Sequence, residues 1–291
     1  HDVIRRQRQM CIRDSPLTHN FMRKALFMSS IVAAVCGFLS SYLTLKGWAL
    51  MGDAVSHSVM PGVVVAYAVG IPFSLGAFIF GVGSVALIGF IKQKSRVKED
   101  TVIGLVFTGF FALGIVLVSK IKSNIDLHSI LFGSPLGISL SDVKQTIFIS
   151  LLVVLLLSVF RKDLMLYCFD PRHAKTVGIN VFFLHYLLLT CLSLAAVVGL
   201  QSVGIILVVA MLITPGATAY LLTDKFDNMT IISVLSAVIS SIIGIYISFW
   251  FDLETGGSIV LSQTFIFLFA FLFAPRYGLF KLRKLRAEYK Q

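Results

Sequence analysis

Residues 230–251 read TIISVLSAVISSIIGIYISFWF, an apolar run broken only by hydroxyls, one glycine and a tyrosine, with no charged side chain. A helix needs about 20 consecutive, mainly apolar residues to cross the hydrocarbon core of a bilayer, and this stretch is long enough. Outward from it, uncharged windows recur at 25–45, 54–91, 101–119, 181–223 and 255–274. The 291-residue chain is 57% hydrophobic and 13% charged, about half the charged share of a soluble domain. Its 25 Lys and Arg and 14 Asp and Glu are too few and too clustered to coat a surface in water. A soluble enzyme, a nucleic-acid-binding protein and a disordered chain are excluded. The predicted fold is all-α, a polytopic membrane protein.

Apolar windows set against turn residues predict nine candidate helices, at 22–45, 54–70, 72–91, 101–119, 143–160, 182–200, 202–222, 229–250 and 257–275, of which eight to nine cross the membrane. Gly70 to Pro72 and Gly199 to Gly204 mark the tightest connections. The segment 125–141 is too polar and too rich in Gly and Pro to span, and forms a loop or a short re-entrant element. The first fifteen residues, HDVIRRQRQMCIRDS, carry four arginines and no apolar period, and read as a non-native leader. The transmembrane domain is then 16–276, followed by a basic cytoplasmic tail at 277–291. With the N-terminus outside and the C-terminus inside, sixteen Lys and Arg fall on the inner face and five, besides the leader's, on the outer face. Positive residues mark the cytoplasmic side, so the net charge of +11 is chiefly a topological signal. Cys11, Cys36, Cys168 and Cys191 have no CxxC spacing and indicate neither a disulfide framework nor a zinc cage. Trp48 and Trp250 fall near span ends, as in an aromatic belt.

Ionisable groups at membrane depth are costly and therefore functional candidates. Asp53 and His57, in GDAVSHSVMPG (52–62), are four apart and share a helix face, which Met60 joins. Carboxylate with imidazole suits Mn²⁺, Fe²⁺ or Zn²⁺ better than Mg²⁺ or Ca²⁺. Two ligands fit passage better than storage. The plainer reading makes Asp53 a helix N-cap and His57 a hydrogen-bond partner of a neighbouring helix. Pro61-Gly62 and Pro215-Gly216 predict two broken or kinked spans, and paired breaks of this kind mark a substrate path or hinge in transporters. His185 opens the sixth span and is a packed or interfacial histidine, or a further ligand. Asp252 and Glu254 form an acidic outer turn that attracts cations or is simply solvated.

The inner stretch 169–180, FDPRHAKTVGIN, predicts a short basic helix with Asp170 as N-cap, Pro171 in its first turn and Gly178 as its stop. From charge alone it docks on another subunit or on lipid headgroups. No GxxxxGK[ST] phosphate loop and no HExxH motif occur, so the chain is not expected to hydrolyse ATP itself.

The stretch KGWALMGDAVSHSVMPG (46–62) closely resembles the signature of the metal-ion ABC transporter permeases, which import manganese, iron and zinc in bacteria. Further matches are KEDTVIG (98–104), the 170–178 loop and VGLQSVGIILVVAMLITP (198–215). The similarity spans about 21–276 and is strongest to the manganese/iron import permeases of enteric-type bacteria. It implies a homodimeric permease in the bacterial inner membrane, working with cytoplasmic ATP-binding subunits and an extracytoplasmic metal-binding protein. By motif match, Asp53 and His57 are the in-membrane ligands of the transported ion, no cofactor is permanently bound, and the 170–178 helix, with Asp170, Arg172, Ala174 and Gly178, couples to the ATPase. The leader 1–15 matches nothing in the family. Two alternatives remain at this stage. A permease for a siderophore or cobalamin would need no ligand pair and usually has ten spans. A secondary metal/proton transporter would carry more buried acids.

Overall fold

The computed structural model describes residues 20–120, 140–274 and 278. The elements are helices: α1 Asn20–Lys46, α2 Ala49–Val69, α3 Phe73–Lys94, α4 Glu99–Lys120, α5 Leu140–Val159, α6 Arg161–Phe169, α7 Pro171–Thr176, α8 Val181–Val203, α9 Ile205–Leu222, α10 Phe226–Phe251 and α11 Thr255–Phe273. Each of the nine predicted segments coincides with one long helix. The expected leader at 1–15, nearly all of the polar segment 125–141 and, Gly278 aside, the tail 277–291 lie outside the described residues.

By length and composition six described helices suffice to cross a membrane, or seven if the bent pair Val143–Val159 and Arg161–Phe169 forms one span, against the eight to nine expected. Asp53, Ser56, His57 and Ser58 dilute the apolar character of α2, and the apolar part of α9, Leu207–Leu222, is short. The predicted breaks at Pro61-Gly62 and Pro215-Gly216 are absent, because α2 and α9 run as single helices through both prolines. The sharp bend, 72°, instead separates α5 from α6. There the apolar run ends and Arg161 turns away to pair with Asp227 at the start of α10.

Helix α1 is the hub, packed against α5, α8, α9 and α10, with Ala33, Cys36, Leu39 and Tyr42 buried. Lipid tails are as apolar as leucine, so helices in a bilayer associate through close van der Waals fit and interhelical hydrogen bonds. Both occur. The Ser233 hydroxyl donates to the Gly37 carbonyl at 2.6 Å, and a Cβ on Gly37 would lie 3.0 Å from that of Ala237. Where α2 crosses α3, Gly62 and Gly76 face each other, and a Cβ on either would run into the other's carbonyl. The outer faces expose large apolar side chains, among them Leu105, Phe148, Phe265 and Phe269, the surface that lipid would cover. The free cysteines Cys36, Cys168 and Cys191 are buried packing residues.

Basic residues gather at one end of the bundle. Lys46 Nζ donates to the Tyr167 carbonyl at 3.3 Å and lies 4.1 Å from the centre of the Tyr167 ring. Arg161 pairs with Asp227, and Lys92 and Lys175 line one cavity with Tyr167 and His185. Helix α2 leaves this end and, at 1.5 Å per residue, carries the chain about 30 Å to the turn at Gly70, which caps it in the left-handed region at φ 78°.

Candidate metal path

Asp53 and His57 lie one turn apart on α2. The helix starts at Ala49 after Trp48, so Asp53 sits inside it and is not its N-cap. His57 Nε2 lies 3.3 Å from Asp53 Oδ1, with side chains 19% and 34% exposed respectively. The other imidazole nitrogen, Nδ1, is buried and has no hydrogen-bond partner among the described residues. The plainer reading, in which His57 bonds a neighbouring helix, therefore fails on both atoms. The ring is held instead by two aromatic edges from α4, Phe107 at 5.0 Å and Phe111 at 5.3 Å between centroids, which stack on each other. Ser56 and Ser58 turn their hydroxyls back to the Gly52 and Ala54 carbonyls at 2.8 and 2.6 Å. They satisfy themselves within the helix and leave the acid and imidazole as the polar groups of that face.

Met60 is buried, with Gly114 of α4 facing its Cγ and the Pro61 ring. Gly114 thus lets α4 approach α2 where the helix carries its proline. Pro215 deprives α9 of one backbone donor, the one that would reach the Met211 carbonyl, and Ser40 of α1 bonds the backbone on either side of the proline. The Ser40 hydroxyl accepts from Gly216 N at 2.9 Å and donates to the Ile213 carbonyl at 3.4 Å. Gly216 is required there, since a Cβ would meet Ser40 and Thr44.

His185 joins a different cluster. The Tyr167 hydroxyl and His185 Nδ1 lie 2.9 Å apart, and the ring packs edge-on against Trp48 at 5.2 Å. Among the described residues no group of three His, Cys, Asp or Glu side chains comes together, so His185 does not join Asp53 and His57. His173 is exposed on α7, while His128 lies outside the described residues.

The basic helix folds as its sequence predicts. The Asp170 carboxylate accepts from Arg172 N at 2.8 Å and His173 N at 3.1 Å, and Pro171 opens α7. Those bonds, the one from His173 first, hold its carboxyl below the usual carboxylate range. Gly178, at φ 87°, ends the turn with its N–H on the Lys175 carbonyl, and Ile179 N bonds the Ala174 carbonyl. Ala174 is fully buried while Arg172, His173 and Lys175 point outward. In the acidic turn Asp252 caps α10 at φ 53°, and the Glu254 carboxylate caps α11 by accepting from Gly256 N at 3.3 Å and Gly257 N at 3.1 Å.

Phe107 and Phe111, Ser40, Gly76 and Gly114 were not singled out in the sequence. The four-residue spacing of Phe107 and Phe111 was a visible aromatic pair on one helix face. The other three act across helix contacts that no local pattern records.

A helical bundle with this many long apolar helices defines a multi-pass membrane protein. The profile of the ABC 3 transport family matches residues 18–274, and the chain belongs to that family. It is a transport subunit of the inner membrane and not an enzyme. It is 53% identical over 264 residues to the manganese transport system membrane protein MntB of Synechocystis sp., covering 91% of this chain and 86% of that protein. It is 48% identical over 273 residues to a probable iron transport system membrane protein of Haemophilus influenzae, covering 94% and 97%. The solved structure of PsaBC from Streptococcus pneumoniae in complex with Fab superposes with a TM-score of 0.84 at 40% identity, covering 91% of this chain and 96% of that one.

Proposed function

We propose that the chain is the permease of an ATP-driven importer of divalent transition-metal ions, manganese, iron or zinc, and that Asp53 and His57 ligate the ion on its way through. The observation that carries this reading is the 3.3 Å between His57 Nε2 and Asp53 Oδ1. With metal–ligand bonds of about 2.1 Å, that separation corresponds to an angle of about 105° at a shared ion. The spacing of the two atoms is therefore that of two ligands on one cation. Two protein ligands leave the remaining positions to water, so the ion is a passing substrate. The names of the relatives, manganese and iron transport membrane proteins, favour the same cargo.

The rest of the machine follows from the family. A second copy forms a homodimer around the path, cytoplasmic ATP-binding subunits drive it, and an extracytoplasmic metal-binding protein delivers the ion. The N-terminus is outside and the C-terminus cytoplasmic. The gathering of Lys46, Lys92, Arg161 and Lys175 at one end supports that orientation. Helices α2 and α9 complete eight to nine spans, protected from lipid by the helices around them. The α7 segment couples to the ATPase: Ala174 seats it on the bundle, while Arg172 and its neighbours face the partner. Pro61, Gly62, Pro215 and Gly216 place the two helices that line the path, with Met60 beside the ligand pair and His185 nearer the inner end. The Asp252–Glu254 turn faces the binding protein.

Uptake of radioactive manganese by the complete complex in proteoliposomes tests the reading. Asp53→Ala and His57→Ala reduce uptake to background while size-exclusion profiles of the assembly stay unchanged. Wild-type uptake by both variants removes the pair from the path. Competition by iron and zinc in the same vesicles ranks the cargoes.

A further inference from the structure

The two nitrogens of His57 have opposite surroundings. Nε2 faces Asp53, while Nδ1 is buried and has no hydrogen-bond partner among the described residues. A neutral imidazole that gives Nε2 to a cation keeps its single proton on Nδ1. In metal sites that second N–H almost always donates to a carboxylate, a backbone carbonyl or water, which raises the basicity of the ligating nitrogen. At His57 the place of the acceptor is taken by carbon. Phe107 and Phe111, one turn apart on α4, pack on the imidazole at 5.0 and 5.3 Å between centroids and stack on each other at 6.2 Å. The hydroxyls flanking these residues in the chain turn back on their own helices. Ser56 and Ser58 bond the Gly52 and Ala54 carbonyls, and Thr108 shares its proton between the Gly104 and Leu105 carbonyls. Because Nδ1 is closed to solvent, water does not substitute for them.

A histidine without that acceptor is a weak ligand, since loss of such a partner lowers metal affinity by about 10–100-fold. Storage of an ion would call for the opposite arrangement, but passage requires a hold favourable enough for entry and weak enough for exit. We infer that Phe107 and Phe111 set the affinity of the path for its ion: they close the Nδ1 side of His57 to every acceptor and make it a ligand that releases. The two rings act through the imidazole and do not touch the ion, so they are positioning residues. The inference rests on the proposed role of His57 as a ligand of the transported ion.

The test uses the complete permease–ATPase complex in proteoliposomes, its histidines labelled with nitrogen-15, and solid-state nuclear magnetic resonance with and without Zn²⁺. His57→Asn identifies the His57 signals by their loss. With Zn²⁺ present, Nε2 shifts to the metal-bound position and the Nδ1 proton resonates upfield of hydrogen-bonded imidazole N–H groups. A metal-bound Nε2 with a downfield, hydrogen-bonded Nδ1 proton overturns the inference and leaves His57 a ligand. No response of Nε2 to Zn²⁺ defeats the ligand role itself, and the inference with it. Transport gives the second readout. Phe111→Gln offers Nδ1 an acceptor, so the KM and the maximal rate of manganese uptake each fall about tenfold, the ion being held more tightly and released more slowly. Phe111→Leu keeps the site apolar without the ring and shows neither fall. Rings that merely fill space give the two variants the same KM, and that result overturns the affinity-setting role. The wild-type spectrum decides the state of Nδ1 whether or not Phe111→Gln assembles.

Discussion

Gly76→Ala probes the helix crossing between α2, which carries the Asp53–His57 pair, and α3. A Cβ on Gly76 meets the carbonyl oxygen of Gly62 and comes within 2.6 Å of the Ala66 Cβ. Carbon atoms rest about 3.5–4.0 Å apart, so α2 and α3 must separate by about 1 Å. The obstruction is backbone and a Cβ, so no rotamer relieves it. Overpacking of this kind costs about 1–3 kcal/mol, and the better helix propensity of alanine returns up to about 1 kcal/mol. Gly83→Ala is the matched control, the same change on the same helix with nothing within 4 Å of the new Cβ. It keeps the propensity gain and lacks the clash. The two variants therefore differ by the crossing alone, about 1–3 kcal/mol, and at roughly 2–4 °C per kcal/mol for a chain of this size their apparent melting temperatures differ by about 6 °C, Gly76→Ala being the lower. Tryptophan-fluorescence melting in one detergent, at one scan rate, measures this directly. A Gly76→Ala protein that melts at or above Gly83→Ala refutes the tight crossing.

Three further outcomes follow. Ser40→Ala leaves Gly216 N without its buried acceptor and destabilises the protein by about 1–3 kcal/mol, read as a lower melting temperature, whereas Ser40→Thr retains part of the bond. Phe107→Ala removes one aromatic edge from His57, a contact of about 0.5–1.5 kcal/mol. The KM for manganese uptake rises up to about tenfold while the amount of assembled complex is unchanged, and an unaltered KM shows that the ring needs no such support. Asp170 has a folded pKa below its unfolded value, so its cap is fully present above the ordinary carboxylate pKa of about 4 and is lost as pH falls through the lower folded value. Hydrogen exchange at His173 N–H accelerates over that acid range in the wild type, and Asp170→Ala abolishes the pH step.

The sequence disclosed what depends on local chemistry. Apolar windows and turn residues located the nine long helices among the described residues, and Asp170, Pro171 and Gly178 delimited α7, because caps and apolar length act within a few residues. The Asp53–His57 pair was legible for the same reason, its four-residue spacing being enough to bring Oδ1 and Nε2 together. The consequence of the two prolines was not legible. How a helix accommodates a proline depends on what packs around it, and at Pro215 that includes Ser40, more than 170 residues away in the chain, on the neighbouring Gly216 N–H. His185 could not be assigned either, since Tyr167 and Trp48 reach it from two other segments.

Those contacts recast the two Pro-Gly steps. In each, the glycine admits a neighbour that a Cβ would exclude: Gly76 of α3 against Gly62, and Ser40 of α1 against Gly216. The α2 step has a further neighbour, α4, which reaches Pro61 through Gly114. Both helices are thereby held closely by their neighbours at the Pro-Gly steps. Positive φ occurs instead between helices, at Gly47, Gly70 and Gly204. At Gly47 and Gly70 nothing lies within 4 Å of a notional Cβ, so the backbone conformation alone calls for glycine. These end turns, and not the two prolines, are where the backbone of α2 leaves helical geometry.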